Sequence, residues 1–145
     1  MKKKMNKVIL FLLVFAVCLS STAFLSANAM PASDYIRSYS ASTYRTGPGN
    51  IKVTFEIGGT RTMDDIGSTS IYLYELNGTS WSLVQTFLYT QSSYSHIMTS
   101  NTAVHSASVT YAGTSGKQYY ATVYLWAGRN GGGDSRSVTT SAVTA

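Results

Sequence analysis

Cysteine is nearly absent from this sequence of 145 residues, and the single one, Cys18, falls within the first 29. Those residues open with Lys2, Lys3, Lys4 and Lys7, continue through an apolar run over 8–18, and end in Ala27-Asn28-Ala29. A cationic start, a short apolar run and a small-x-small end predict a secretory signal peptide over 1–29, cleaved after Ala29. Residues 30–145 then form one exported domain without a disulfide, although such a compartment would allow one to persist. Lipid attachment at Cys18 is disfavoured, because Phe15-Ala16-Val17 lacks the small residue that a lipoprotein signal wants just before the cysteine. The product is expected to be secreted and extracellular.

Long apolar runs and clustered charge are also lacking. The 8–18 run falls short of the about 20 apolar residues of a spanning helix, and residues 30–145 hold nothing comparable. The membrane is therefore expected to matter only through the signal peptide. Residues 30–145 carry seven basic and six acidic side chains, a formal charge of +1, so the basicity of the full chain belongs mostly to its leader. Scattered Lys and Arg do not make a phosphate-binding footprint, and no nucleic-acid partner is expected.

Catalytic signatures are missing as well. His96 and His105 are the only histidines, and no H-E-x-x-H or calcium-loop spacing organises them with Asp34, Asp64, Asp65 and Asp134. There is no G-x-S-x-G, and Gly131-Gly132-Gly133 lacks the Lys-Ser/Thr and following helix of a phosphate loop. Glu56 and Glu75 are the sole glutamates, too isolated in sequence to nominate as a glycosidase pair. No cofactor, metal site or enzyme activity is expected. His105 is assigned a structural role, bonding a backbone carbonyl. Residues 63–67, Met-Asp-Asp-Ile-Gly, read as one helical turn with Asp64 or Thr62 at its N-cap and Ile66 plugging one end of the core.

What is abundant points to strands. Tyr occurs eleven times and Ser plus Thr make up 35 of residues 30–145, whereas Glu occurs twice. Ile51, Val53, Phe55 and Ile57 take every second position of a half-buried strand ending at Gly58-Gly59. A second strand over 68–76 closes at Asn77-Gly78, a hairpin dipeptide, and the return over 81–89 slips out of alternation, which predicts a bulge. Residues 91–104 read as loop, 106–111 as strand, 118–126 as the strongest strand and 135–140 as the last, with a weaker early one near 35–43. About seven short antiparallel strands without helical periodicity predict an all-β fold, a single antiparallel β-sandwich over 30–145.

The segment Gly116-Lys117-Gln118-Tyr119-Tyr120-Ala121-Thr122-Val123-Tyr124 resembles the sixth strand of fibronectin type III and immunoglobulin-like domains. That resemblance implies that Tyr119 is a tyrosine corner bonded back to the preceding turn. Ala121 stands where antibody-type domains carry cysteine, so the disulfide-free fibronectin-like form fits better. The chain also resembles a family of small secreted Gram-positive bacterial proteins of unassigned function. That likeness is carried by Pro31-Ala32-Ser33-Asp34-Tyr35-Ile36, Thr62-Met63-Asp64-Asp65-Ile66-Gly67, Gly78-Thr79-Ser80-Trp81, Val109-Thr110-Tyr111-Ala112-Gly113 and Asp134-Ser135-Arg136. It implies a fold and a compartment, and no activity.

The informative surface is aromatic. If the 118–126 strand lies beside the 68–76 strand with Ile71, Leu73, Tyr119 and Val123 inward, then Tyr72, Tyr74, Tyr120 and Tyr124 share the outer face and Trp126 extends it. Tyr and Trp present large contact area at low entropic cost, which suits sugars or partner surfaces. The bland alternative is cross-strand pairs that only stabilise a solvated sheet. The expected function is a non-catalytic recognition module for cell-envelope glycan or an extracellular protein partner. A self-associating structural or matrix protein is the alternative, and an enzyme whose site assembles only in three dimensions the remote one.

Overall fold

The computed structural model describes residues 33–145; the expected signal peptide, Cys18 and the Met30 start lie outside the described residues. Period-two alternation carries nearly all of this span into extended structure. The strands are β1 (Ile36–Gly47), β2 (Asn50–Asn77), β3 (Ser80–Leu88), β4 (Met98–Ala112), β5 (Gln118–Arg129), β6 (Gly132–Thr139) and β7 (Val143–Thr144), with a 3₁₀ helix at Ser92–Ile97. All pairings among them are antiparallel. The fold is all-β.

The long β2 organises the molecule. Its first half lies between β1 and β4, with Val53 opposite both Thr43 and Val109. Its second half lies between β3 and β5, with Ile71 opposite both Phe87 and Val123. Where a sandwich was expected, the strands are hydrogen-bonded into one curled sheet in which β2 is common to both halves. Register shifts between Gly58 and Met63 and between Ser68 and Ser70 mark where β2 turns from one half to the other, the usual way a strand rounds a corner. Ile51, Val53, Phe55 and Ile57 from one half share a single core with Ile71, Leu73, Phe87, Tyr119, Val123 and Leu125 from the other. Each such side chain taken out of water contributes about 1.5–3 kcal/mol, so the core sets which face of every strand points outward.

Two local expectations are overturned. Residues 63–67 are extended, not helical: Asp65 is paired with Ser100 of β4 and with Gly128 of β5. One isolated helical turn is costly to nucleate, whereas the strand satisfies its backbone on both sides. Ile66 is fully buried, but Asp64 is no N-cap. Residues 91–104 are not loop: they hold the 3₁₀ helix, which buries Ile97, and the start of β4. The turn chemistry also moves. The β2–β3 hairpin closes at Asn77–Ser80 with Gly78 (φ 62°) first in its two-residue loop, while the Asn-Gly turn with both residues at positive φ is Asn130-Gly131 (51° and 78°) in the β5–β6 hairpin.

Candidate functional site

Register creates an aromatic ribbon across β3, β2 and β5. Tyr74 lies directly opposite Tyr120, and their rings stack with centroids 4.8 Å apart and planes 13° from parallel. Tyr72, opposite Thr122, meets Tyr124 edge-on at 5.6 Å. Trp81 of β3 meets Tyr120 edge-on at 4.6 Å. Offset-stacked and edge-to-face pairs are the arrangements that ring quadrupoles favour. Tyr124, Trp81 and Leu83 remain 44%, 39% and 51% exposed, so the ribbon is open to solvent along one side.

Trp81 was not among the residues singled out from sequence. The reason is the β3 bulge, where the register slips between Leu73–Gln85 and Tyr74–Leu83 and leaves Val84 as the extra residue. Counting by twos, Trp81, Leu83 and Phe87 would share one face. The bulge reverses that parity, so Phe87 fills the core while Trp81 and Leu83 join the tyrosines outside. The slip in alternation was the available signal.

Thr69, Ser70, Tyr72, Tyr74, Leu83 and Tyr124 line a shallow groove of about 450 Å³, and none of them is charged at neutral pH. Loss of water, and then the neighbouring phenols of Tyr120, Tyr124 and Tyr72, push the Tyr74 hydroxyl above its ordinary pKa. The face therefore stays neutral, presenting ring faces and hydroxyl groups. Trp126 stands apart from the tyrosine groove, lining a smaller one of about 220 Å³ with Asp65, Thr69, Tyr89 and Met98; Thr69 borders both. Its indole rests against Gly128 and Gly133, where any Cβ would collide with the ring, which gives the glycine-rich segment a packing reason.

The residues assigned structural roles lie behind or away from this face. Tyr119 is fully buried; its hydroxyl accepts from Thr114 N at 2.8 Å and donates to Glu75 Oε2 at 2.5 Å. Burial, and then the Glu75 bond, raise its pKa. A Cβ at Gly113 would sit 2.7 Å from the Tyr119 ring, so the turn that supplies the Thr114 amide requires glycine there. Lys117 bonds Asn77 Oδ1 at 3.1 Å and lies 3.9 Å from Glu75. His105 donates from Nε2 to the His96 carbonyl at 3.0 Å, and His96 donates to the Ser108 carbonyl at 3.1 Å, so the two rings tie the 3₁₀ helix to β4. Asp64 Oδ2 accepts from Asn130 N at 2.7 Å, while Asp65 Oδ1 accepts from Ser100 Oγ at 2.9 Å. The adjacent carboxylates thus serve different elements, Asp64 the β5–β6 turn and Asp65 strand β4. Among the described residues no three His, Cys, Asp or Glu side chains converge as a metal site would require.

No family model and no curated protein sequence matches the chain. Among solved structures it is similar to Spo0M, a sporulation control protein from Bacillus subtilis, at a TM-score of 0.40 and 13% identity, over 75% of this chain and 50% of that one. The chain thus spans half the length of that protein, and a likeness of this degree carries no information about function.

Proposed function

We propose that the protein is a secreted, non-catalytic recognition module whose outer aromatic face binds neutral glycan of the cell envelope. The observation that carries this reading is the uncharged groove bordered by Tyr72, Tyr74 and Tyr124 and backed by the Tyr74–Tyr120 stack. Aromatic faces take up the C–H faces of sugar rings, and phenol groups at their rim bond the sugar hydroxyls. Export rests on the leader sequence, and the fibronectin-like and Gram-positive affiliations rest on the resemblances of the Tyr119 strand and the motifs given above. The test is the triple substitution of Tyr72, Tyr74 and Tyr124 by serine. It should abolish retention on isolated cell-wall material while far-UV circular dichroism stays unchanged. A folded variant that is still retained would sink the reading.

Self-association is a second reading with its own support. No Lys, Arg, Asp or Glu occurs between Glu75 and Lys117, so β3 and β4 carry no charged side chain. Among the described residues β3 pairs only with β2, and it exposes Trp81 and Leu83. Open edges usually carry charge or proline to block pairing. Sedimentation velocity over a wide concentration range decides: a strictly monomeric protein removes this reading, and a dimer dispersed by Leu83→Lys supports it.

A further inference from the structure

A second cleft, formed by other residues than the aromatic groove, gathers polar groups that make no side-chain hydrogen bond among the described residues. Asp34, Tyr35, Arg61, Met63, Arg129 and Asn130 line a cavity of about 290 Å³. Four elements of the chain meet there, and two of them are tethered through the backbone. Thr60 holds the segment before β1, its amide donating to the Tyr35 carbonyl at 2.9 Å and its hydroxyl to the Asp34 carbonyl at 2.7 Å. Asp64 holds the Asn130 amide in the β5–β6 turn. The Tyr35 ring lies against Gly132, where a Cβ would collide with its hydroxyl. Buried Met63 contributes the apolar part of the lining.

The donors in this fixed frame are idle. Among the described residues, neither the Arg61 nor the Arg129 guanidinium makes a hydrogen bond or an ion pair, and the Tyr35 hydroxyl and Asn130 side-chain amide make no hydrogen bond. In contrast, the cations of Lys117 and Arg136 lie next to carboxylates. Two guanidiniums line the cleft with the Asp34 carboxylate, while the other nearby carboxylate, Asp64, is engaged by the Asn130 amide. Guanidinium forks match planar carboxylates and tetrahedral phosphates through paired N–H bonds. We propose that this cleft binds a small oxyanion-bearing ligand, a carboxylate or phosphate group on a polar molecule, held between Arg61 and Arg129 with Tyr35 and Asn130 as further donors. The volume lies near the lower end of ligand pockets, about 300 Å³, and suits a single sugar-sized group.

The experiment is a titration of the purified protein with inorganic phosphate, glucuronate and glucose, followed by the arginine side-chain and Asn130 amide resonances. Phosphate or glucuronate should give saturable shifts at Arg61, Arg129 and Asn130, and glucose none; which anion binds more tightly distinguishes the phosphate source from the carboxylate source. Arg61→Gln with Arg129→Gln should weaken binding by about tenfold or more, since charge-assisted bonds carry it. Asp34→Asn should tighten it by removing the opposing charge, a sign that a purely structural role would not produce. The Tyr72, Tyr74, Tyr124 triple variant should bind the anion unchanged, which separates this site from the aromatic face. Absence of saturable shifts, or binding indifferent to the double arginine variant, overturns the proposal.

Discussion

Replacing Tyr119 by phenylalanine removes one oxygen and two hydrogen bonds from the end of the core. The bond to Glu75 has a charged acceptor and is worth about 1.5–3 kcal/mol, while the neutral one from Thr114 N is worth about 0.5–1.5 kcal/mol. Glu75 keeps Lys117 at 3.9 Å, and water can reach the Thr114 amide in its turn, so the loss should fall near the middle of the summed range, about 3 kcal/mol. With a urea slope of about 1–3 kcal/mol per molar, the unfolding midpoint should drop by about 1–3 M. The pH dependence adds a second reading of the same hydroxyl, whose pKa is raised first by burial and then by the Glu75 bond. Because the folded pKa of Tyr119 lies above its ordinary value, its contribution is complete below about pH 10 and is lost as pH rises through the folded pKa. The gap between wild type and Tyr119→Phe should therefore narrow in strongly alkaline solution. An unchanged midpoint near neutrality, or a gap independent of alkaline pH, would refute the assignment of this hydroxyl as a buried link between β5 and Glu75.

Deleting Val84 should remove the β3 bulge and force either Phe87 out of the core or Trp81 and Leu83 into it; evicting a buried phenylalanine costs about 3–5 kcal/mol, readable as a collapse of the thermal midpoint. Gly133→Ala should push the Trp126 indole off its seat and change its fluorescence in a Trp81→Phe background, while Gly47→Ala, at a position without positive φ where a Cβ would meet only Asn50 Nδ2 at 3.6 Å, should leave the emission unmoved. Asp134 is held below its ordinary pKa by a hydrogen bond with Ser33 and then by Arg136, so its stabilisation is present above the ordinary carboxylate value and is lost as pH falls through the folded one. Asp134→Asn should abolish that acid step and speed hydrogen exchange at Ile36, whose amide donates to Ser33 Oγ at 2.8 Å.

Alternation made the outer face legible before any coordinates, because strands keep period two and β5 and the second half of β2 are regular enough to read. That these two strands are neighbours was only a condition borrowed from the fibronectin resemblance, and their register, with Ile71 opposite Val123, was not legible in the residues. What local pattern could not show was the dual pairing of β2. Met63-Asp64-Asp65-Ile66-Gly67 carries good helix-end signals, yet neighbours on both sides, distant in sequence, hold it extended. The same long-range pairing brings Arg61 near Arg129, two residues whose spacing of 68 positions signals nothing by itself. Trp81 was hidden for a different reason, since a single extra residue in a strand reverses every side chain beyond it.

A recognition module of this kind requires the tyrosine ribbon to meet a ligand. Titrating the isotopically labelled protein with soluble, uncharged fragments of cell-wall glycan, and following the aromatic resonances, tests this directly. Saturable shifts at Tyr72, Tyr74, Tyr120, Tyr124 and Trp81, absent from the triple serine variant, are the predicted result. Saturable binding that leaves these rings unmoved and shifts residues 91–97 or 128–134 instead, or no binding at all, would contradict it.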